Sequence, residues 1–279
     1  MKRFGVALGG GGARGLAHIL ALETIDASGI IPSAIAGTSI GAIVGVLYAS
    51  GMSGAQIRNG FIKHTIGKND HLKDIFSKRK DIFKWLQIIS PEVKRGGLLS
   101  ANGFFKYLLD EIRVETFEEL KLPLQIVTTD FWSGQEVIFN TGELLPAIKA
   151  SMAIPGVFAP VAFEGRVLVD GGLVNNVPYD ILPACCDCTI AIDVAPIRKP
   201  GKNRVPSLLD SVLGMFDMLI ERNVAAKLAG SPPTIHIRPG FSNIRVLDFN
   251  KHEEVFRQSA AAMEKLRAEL QRVMAGQGD

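Results

Sequence analysis

The segment Phe4–His18, FGVALGGGGARGLAH, joins an apolar run to four successive glycines and then to a helical stretch. The run FGVAL has the character of a strand, and the helix predicted after the glycines ends at the cap-like Gly29. In a strand, turn and helix of this kind, backbone N–H groups of the turn and the helix N-terminus converge on an anion. The sequence therefore predicts an anion-binding loop near the start of the chain.

The glycines also match a dinucleotide-binding pattern, through Gly10, Gly12 and Gly15. That pattern needs an acidic residue about 20 positions further on, at the end of a second strand. Glu23 and Asp26 fall inside the first predicted helix instead, and the Gly-Lys-Ser/Thr ending of an ATP phosphate loop is missing. A nucleotide-binding oxidoreductase is therefore a weaker interpretation that rests on the glycines alone.

Beyond the loop, short apolar runs alternate with helical stretches. Strands are predicted at FGVAL, AIAG, LQIVTT, RVLV and TIAIDV, and apolar residues at helical spacing predict a helix within Lys251–Met274. This alternation predicts an α/β fold with a largely parallel sheet. We expect one domain over residues 1–279, with 51–103 as a polar insertion or flap and 197–207 as a second less ordered segment.

Length and composition bound the class of protein. The chain has 279 residues, of which 47% are hydrophobic and 21% are charged, and a chain of this size buries about three quarters of its unfolded surface. Arg14 and His18 interrupt the N-terminal apolar stretch, and no apolar run reaches the ~18 residues of a membrane-spanning helix. We expect a soluble, cytoplasmic protein without a signal peptide that is able to contact a membrane surface peripherally.

Three cysteines lie close together at Cys185, Cys186 and Cys188. An odd and tightly spaced set suits a reducing compartment better than a disulfide framework. Since there is no fourth cysteine and no histidine nearby, the pattern predicts buried thiols rather than a zinc site.

A second glycine-flanked turn, Gly37–Gly41 with the sequence GTSIG, follows the strand AIA and precedes the helical stretch IGAIVGVLYAS. A strand, a sharp turn and a helix are the context of a nucleophile elbow, where small neighbours allow a serine to project from a strained turn. The context favours Ser39 as a nucleophile over a Gly-Ser turn without chemistry.

A serine hydroxyl needs a base to take its proton. His236 and His252 have the chain order of an α/β-hydrolase, but only 27 positions separate Gly12 from Ser39, which is too few for that topology. We therefore interpret the histidines as structural. Asp170 ends the apolar strand RVLV and precedes two glycines that permit a tight turn close to other backbone, which makes it an alternative base, although an Asp-Gly turn without chemistry is common.

Taken together, the glycine loop, GTSIG and the DGG at Asp170 resemble the patatin-like phospholipase family, and the chain is similar to its compact bacterial members. The stretches TTDFWSGQEVIFNTG and ASMAIPGVFAPV support the resemblance, which covers nearly the whole chain. It implies a three-layer α/β sandwich with a mainly parallel sheet and helices on both faces. It also implies a lipid acyl hydrolase that needs no cofactor and no metal.

The resemblance also implies roles for single residues. Ser39 is the expected nucleophile and Asp170 the expected general base, in a dyad without histidine. The expected oxyanion hole consists of glycines of the first loop, namely Gly10, Gly11 and Gly12. Supporting positions follow from the same three motifs, and they are Arg14, Gly15, Gly37, Gly41, Gly171 and Gly172. Arg14 is equally compatible with binding a lipid phosphate and with bracing the loop.

The expected partner is a lipid or ester substrate. Between Lys63 and Arg95, nine basic residues stand against four acidic ones, and the same segment contains the apolar DIFKWLQII. This segment is either a basic and aromatic flap that contacts an anionic membrane or a solvated surface helix. No nucleic acid is expected, because the basic residues match no known module.

The sequence leaves two questions open. An intact dyad does not by itself establish hydrolysis, so a noncatalytic regulatory or adaptor protein on the same fold is the alternative. The acyl chain length, the choice among phospholipid, lysophospholipid and neutral ester, and the oligomeric state do not follow from the residues.

Overall fold

The computed structural model describes residues 2–66, 111–155, 157–197, 205 and 208–276. It contains a mixed sheet of eight strands with helices on both faces. The strands are β1 Phe4–Leu8, β2 Ala34–Thr38, β3 Leu124–Asp130, β4 Glu136–Phe139, β5 Val161–Phe163, β6 Arg166–Asp170, β7 Cys188–Ile192 and β8 Ile235–Ile237. The helices are α1 Ala17–Ala27, α2 Ile40–Ala49, α3 Gly54–Ile66, α4 Leu144–Ser151, α5 Gly172–Asn175, α6 Leu208–Gly230 and α7 His252–Met274.

The sheet has the strand order β5-β6-β3-β2-β1-β7-β8, and β4 pairs with β3 outside this path. The five strands β3, β2, β1, β7 and β8 are mutually parallel, whereas β4, β5 and β6 run antiparallel to their neighbours. The carboxyl ends of β1 and β2 therefore lie side by side at one edge of the sheet. Turns that follow these two strands face the same region of space.

The two faces of the sheet differ in side-chain size because successive residues of a strand point to opposite faces. Val6 and Leu8 of β1 and Ile35 of β2 belong to the main core, together with residues of α1, α2, α3, α4 and α7. Ala7 and Ala36 face the other side, where they pack with the segment 177–182 and with α6. The small alanines permit close packing there, and the result is the expected three-layer sandwich.

All five predicted strands are present, and the predicted C-terminal helix is α7, whose buried residues include Val255, Leu266 and Leu270. Part of the predicted insertion, residues 54–66, forms α3, which packs against α1. Residues 67–103 of the insertion, which include nearly all of the basic segment from Lys63 to Arg95, lie outside the described residues, as does most of 197–207.

The prediction of three buried thiols is wrong for two of them. Cys188 begins β7 and is buried, but Cys186 is half-buried and Cys185 is exposed, and all three are free. The reason is that Cys185 and Cys186 precede the strand, in a surface turn where the Cys186 N–H donates to the Pro183 carbonyl at 2.9 Å.

Within the described part of the chain, no single helix is long and apolar enough to cross a membrane. The helix α2 and residues Gly54–Lys63 of α3 meet the criteria of length and composition only as a pair, bent by 117°.

Candidate active site

The glycine loop after β1 is held by backbone hydrogen bonds on both sides. Gly9 N–H donates to the Ile192 carbonyl of β7 at 3.0 Å, and Gly10 N–H donates to the Asn176 carbonyl at 3.1 Å. Gly10 therefore lines the site with its N–H already engaged, which narrows the predicted oxyanion donors to Gly11 and Gly12. Among the described residues, the N–H groups of Gly11 and Gly12 have no acceptor.

Gly12 begins a 3-10 helix, Gly12–Leu16, that leads into α1. Its φ of 58° lies in the left-handed region, and a Cβ at this position would collide with the Val246 carbonyl oxygen. The next N–H, that of Ala13, donates to the same oxygen at 2.7 Å. A glycine is therefore required at position 12 both for its backbone angle and for the approach of residue 246.

His18 of α1 supports the loop and does not take part in the site. The side chain is fully buried, its Nε2 lies 2.7 Å from the Gly9 carbonyl oxygen, and burial lowers the pKa of the imidazole to about 4. The ring is therefore neutral at physiological pH and donates to Gly9, as expected for a structural histidine.

Ser39 lies on a strained turn between β2 and α2. Its φ of 54° with ψ of −122° is unusual for a residue with a side chain, and such strain concentrates at functional sites. The two flanking glycines permit this turn: a Cβ at Gly37 would lie 2.6 Å from the Gly41 carbonyl oxygen, and one at Gly41 would collide with the Leu8 carbonyl of β1. Position 15 also requires glycine, because a Cβ there would collide with Ile40.

Ser151, the last residue of α4, fixes the backbone of the turn. Its hydroxyl accepts the N–H of Ser39 at 2.8 Å and donates to the Val127 carbonyl of β3 at 2.7 Å, and the side chain is fully buried. Ser151 belongs to the stretch ASMAIPG, which supports the family resemblance, but no local pattern in the sequence predicts this contact. Its partner Ser39 lies 112 positions away.

The register of the sheet brings Asp170 to Ser39. Thr38, the last residue of β2, is opposite Val127 of β3, while Asp170, the last residue of β6, is opposite the next residue, Thr128. Ser39 and Asp170 line the same pocket, where the Ser39 hydroxyl lies close enough to the Asp170 carboxyl to lower its pKa, and the Gly172 N–H donates to Asp170 Oδ1 at 2.7 Å.

Burial dominates the electrostatics of Asp170. Loss of solvent raises the pKa of the carboxyl to about 6, although the Ser39 hydroxyl and the hydrogen bond from the Gly172 N–H act to lower it. Residue 171 has to be a glycine for Asp170 to be buried in this position, because a Cβ at residue 171 would collide with the Val127 carbonyl. Asp170 is thus an anion at neutral pH, with a basicity well above that of an exposed carboxylate.

The described histidines lie away from this pair. His236 Nε2 is 3.7 Å from an Asp193 oxygen, and the His252 ring packs edge-on against Phe61, with 5.5 Å between the ring centroids. His18, His236 and His252, whose side chains the structure describes, are all absent from the lining of the pocket at Ser39. Within the same residues, no group of three His, Cys, Asp or Glu side chains has an arrangement that suits a metal ion.

Arg14 is buried at the side of the pocket, with 4% of its side chain exposed. Its Nη2 donates to Asp217 Oδ1 of α6 at 3.1 Å, whereas Nε is buried without a hydrogen-bond partner in the described residues. The pairing joins the glycine loop to α6 across 203 positions of sequence. Arg14 therefore braces the loop in this structure, and Asp217 is a second contact that the sequence did not reveal.

Two apolar pockets meet at Ser39. The first reaches Asp170, the glycine loop and Arg14, and its outer wall consists of Leu213, Phe216 and Ile220 of α6. The second shares Gly12, Ser39, Ile154 and Val246 with the first and is otherwise lined by apolar side chains, namely Ile40, Ile43, Met152, Phe158, Leu247 and Phe249. The structure thus brings the predicted Ser39, Asp170, Arg14 and loop glycines to one pocket, while the remaining predicted glycines pack behind it.

These features define an α/β protein in which a serine on a strained strand-to-helix turn contacts a buried carboxylate at the edge of a mainly parallel sheet. The sequence pattern of the Patatin-like phospholipase family matches residues 6–183. The chain therefore belongs to the patatin-like phospholipase family, as the resemblance predicted.

The curated relatives are longer than this chain. An uncharacterized NTE family protein of Mycobacterium tuberculosis is 31% identical over 232 residues, which cover 81% of this chain and 60% of the relative. Lysophospholipase NTE1 of Kluyveromyces lactis is 25% identical over 279 residues, which cover 90% of this chain but 18% of the relative. The chain thus spans less than two thirds of the length of these relatives.

A solved structure shares the fold. The crystal structure of VipD from Legionella pneumophila has a TM-score of 0.52 and 15% sequence identity, and the match covers 96% of this chain and 67% of that chain. At this identity the similarity extends to the fold alone.

Proposed function

We propose that this protein is a serine hydrolase that cleaves carboxylic esters of lipids with Ser39 as nucleophile and Asp170 as general base. The observation that carries the proposal is the contact between the Ser39 hydroxyl, on its strained turn, and the buried Asp170 carboxylate. Membership of the patatin-like phospholipase family supports the lipid class of the substrate.

The proposed reaction has two halves. In the first, Asp170 takes the proton of Ser39 Oγ, and the oxygen attacks the ester carbonyl carbon to form a tetrahedral oxyanion. The alcohol then leaves with the proton from Asp170, and an acyl group remains on Ser39. In the second half, water gives its proton to Asp170 and attacks the acyl carbon, after which the fatty acid leaves and Ser39 regains its proton.

Gly11 and Gly12 supply the proposed oxyanion donors. Their N–H groups have no acceptor within the described part of the chain, and they stand at the start of the 3-10 helix that leads into α1. Fixed backbone donors cost no reorganisation when the charge develops, and removal of one such donor typically lowers kcat by about 10²–10³.

The elevated pKa of Asp170 suits its proposed role. A carboxyl group at its ordinary pKa of 3.8 accepts a serine proton poorly, and the shift to about 6 brings its basicity closer to working pH while leaving it ionised. The remaining gap to the pKa of a serine hydroxyl predicts modest turnover on simple soluble esters.

The lining of the site fits an apolar acyl group. Both pockets that meet at Ser39 are walled mainly by aliphatic and aromatic side chains. A relative carries the name lysophospholipase, so single-chain phospholipids are the first substrates to examine. Contact of the basic segment between Lys63 and Arg95 with an anionic membrane, and a cytoplasmic location, remain part of this proposal.

The test is release of fatty acid from lysophosphatidylcholine, phosphatidylcholine and a soluble p-nitrophenyl ester. Ser39→Ala is expected to lower kcat by roughly 10⁴ or more, and Ser133→Ala, at an exposed serine on the β3–β4 turn, serves as the matched control. Full activity of folded Ser39→Ala would contradict the assignment of the nucleophile. A folded wild type that cleaves none of the three esters would favour the noncatalytic alternative.

A further inference from the structure

The helix α6 carries large apolar side chains on two neighbouring faces. One face carries Leu213, Phe216 and Ile220 into the pocket wall. The other face carries side chains that are between 37% and 79% exposed, namely Leu208, Val212, Met215, Met218 and Leu219. Positions 208, 212, 215 and 219 follow the helical spacing of four, three and four residues, so they form one continuous stripe along the outside of the helix.

The outward face changes character along the helix. After Leu219 the exposed positions no longer carry large apolar side chains: Glu221 forms an ion pair with Arg238 at 2.7 Å, and the exposed residues that follow are polar or small, namely Arg222, Asn223, Ala225, Ala226 and Ala229. The apolar stripe therefore covers only the first half of α6, which is the half that forms the wall of the pocket.

Other large apolar side chains are exposed at the same edge of the sheet. Phe131 and Trp132 follow the carboxyl end of β3, and their rings pack edge to face with centroids 5.0 Å apart. Ile197 lies beyond the carboxyl end of β7. The carboxyl edge that carries Ser39 thus also carries most of the large exposed apolar side chains among the described residues, and clusters of this kind mark interaction sites.

We propose that the outer stripe of α6, Leu208 to Leu219, is the surface by which this protein docks on a lipid–water interface. The inference rests on the proposed function in one respect, since it identifies how a lipid substrate in a membrane or micelle reaches the pocket. When this stripe rests on the lipid phase, another face of the same helix lines the pocket at Ser39. An acyl chain then reaches the pocket along the apolar side chains of α6 and does not pass through water.

Three features favour a lipid phase over a second protein as the occupant. The stripe is continuous, through one helix, with a pocket whose own lining is apolar. The large exposed side chains end at Leu219, before Glu221 and Arg222, so they are confined to the half of the helix that borders the pocket. Met215 and Met218 have flexible, unbranched side chains that adapt to a fluid surface better than to one fixed shape.

The experiment measures binding of the full chain to phosphatidylcholine vesicles by flotation. All proteins carry Ser39→Ala, so the lipid is not consumed and the result does not depend on hydrolysis. Met215→Gln with Leu219→Gln removes two large apolar side chains from the second half of the stripe and keeps good helix formers. Ile31→Gln with Met274→Gln, two exposed apolar residues away from the carboxyl edge, is the matched control.

The stripe variant is expected to lose roughly 10- to 100-fold in the vesicle partition coefficient, while the control binds like the parent. Should circular dichroism show loss of helix in the glutamine variant, Met215→Ala with Leu219→Ala replaces it, with the same expected direction. Equal binding by folded stripe and control variants would overturn the proposal. So would binding that requires anionic lipid and ignores the stripe, or a dimer of the parent that the stripe variant abolishes without any effect on lipid binding.

The two proposals fail separately. Stripe-dependent binding together with a wild type that cleaves no ester would overturn the hydrolase proposal and leave a lipid-docking protein. Ester cleavage that depends on Ser39, together with stripe-independent binding, would overturn the docking surface alone.

Discussion

The turn after β1 and the turn after β2 are both rich in glycine, but the two turns require it for different reasons. In the first, Gly12 itself takes the left-handed backbone angle, and the absence of side chains exposes N–H groups. In the second, the residue with positive φ is Ser39, which has a side chain, and the glycines on either side prevent collisions with β1 and α2. The turn after β1 presents backbone N–H groups, and the turn after β2 presents the Ser39 hydroxyl.

The two turns contact different parts of the fold. Gly12 meets the carbonyl of Val246, which belongs to a connection outside the sheet, whereas Gly41 meets the carbonyl of Leu8 in the central strand β1. Residue 246 is not part of a strand, whereas β1 is paired with a strand on each side, so the backbone of β1 shifts less readily. The second turn is therefore the more rigid of the two, which suits the proposed role of Ser39 as a nucleophile.

The largest expected effect comes from Gly41→Ala. The new Cβ has to displace the backbone of β1, which costs about 3–5 kcal/mol in the free energy of unfolding, whereas Gly12→Ala costs about 1–3 kcal/mol through its backbone angle and the shift of residue 246. Urea unfolding compares the two variants. Gly230→Ala is the control, since a Cβ there meets nothing within 4 Å. Equal losses at positions 12 and 41 would remove the distinction drawn between the turns.

The second prediction concerns Asp170, the last residue of β6, which lines the pocket together with Ser39 of the second turn. The pKa of its carboxyl is raised from 3.8 to about 6 on folding, so ionisation of the folded protein is penalised above pH 6. The contribution of the protonated Asp170 carboxyl to the free energy of unfolding is complete below pH 4 and is lost as the pH rises through 6. Relative to wild type, Asp170→Asn should therefore gain up to about 3 kcal/mol between pH 4 and pH 7.

The control for this pH dependence is Asp187→Asn. Asp187 is exposed and accepts the Arg3 N–H at 2.8 Å, which lowers the pKa of its carboxyl, so its pH dependence has the opposite sign. Urea unfolding at pH 4, 5, 6 and 7 measures both variants. A flat difference between Asp170→Asn and wild type over this range would show that Asp170 is not a strained, buried carboxyl.

The smallest effect is expected from Ser151→Ala. The change leaves the Ser39 N–H and the Val127 carbonyl without their partner, which costs about 1–3 kcal/mol of stability. Because Ser151 positions the turn without contacting the reacting atoms, kcat should fall by about tenfold with little change in KM, and Ser151→Thr should restore part of the loss. A proportional rise in KM with kcat unchanged would contradict a positioning role.

The sequence predicts those parts of the site whose signal is local. Each of the three motifs couples a strand to a turn within about ten residues, and this local context favours Ser39 and an anion-binding loop. The roles of Asp170 as base and of the loop glycines as oxyanion donors are what the family resemblance implies. The same reasoning included Gly10 among the donors, because the sequence does not show that its N–H is taken by Asn176.

Contacts between residues that are far apart in the sequence cannot be predicted from such local patterns. Ser151 and Asp217 act on Ser39 and Arg14 from 112 and 203 positions away, through the packing of α4 and α6 at the carboxyl edge of the sheet. The exposed stripe of α6 was missed for a related reason. An apolar helix is normally interpreted as core, and only the structure shows which of its two apolar faces is covered.

The most direct test of the central claim is covalent labelling of Ser39 by a fluorophosphonate, followed by intact mass and peptide mapping across pH 4.5–8. We expect a single adduct on Ser39 in wild type, at a rate that rises with pH through about 6 as Asp170 ionises. For Asp170→Asn we expect a rate that is much slower and independent of pH in that range. No adduct on folded wild type, or equal labelling of wild type and Asp170→Asn at pH 7, would contradict the Ser39–Asp170 dyad.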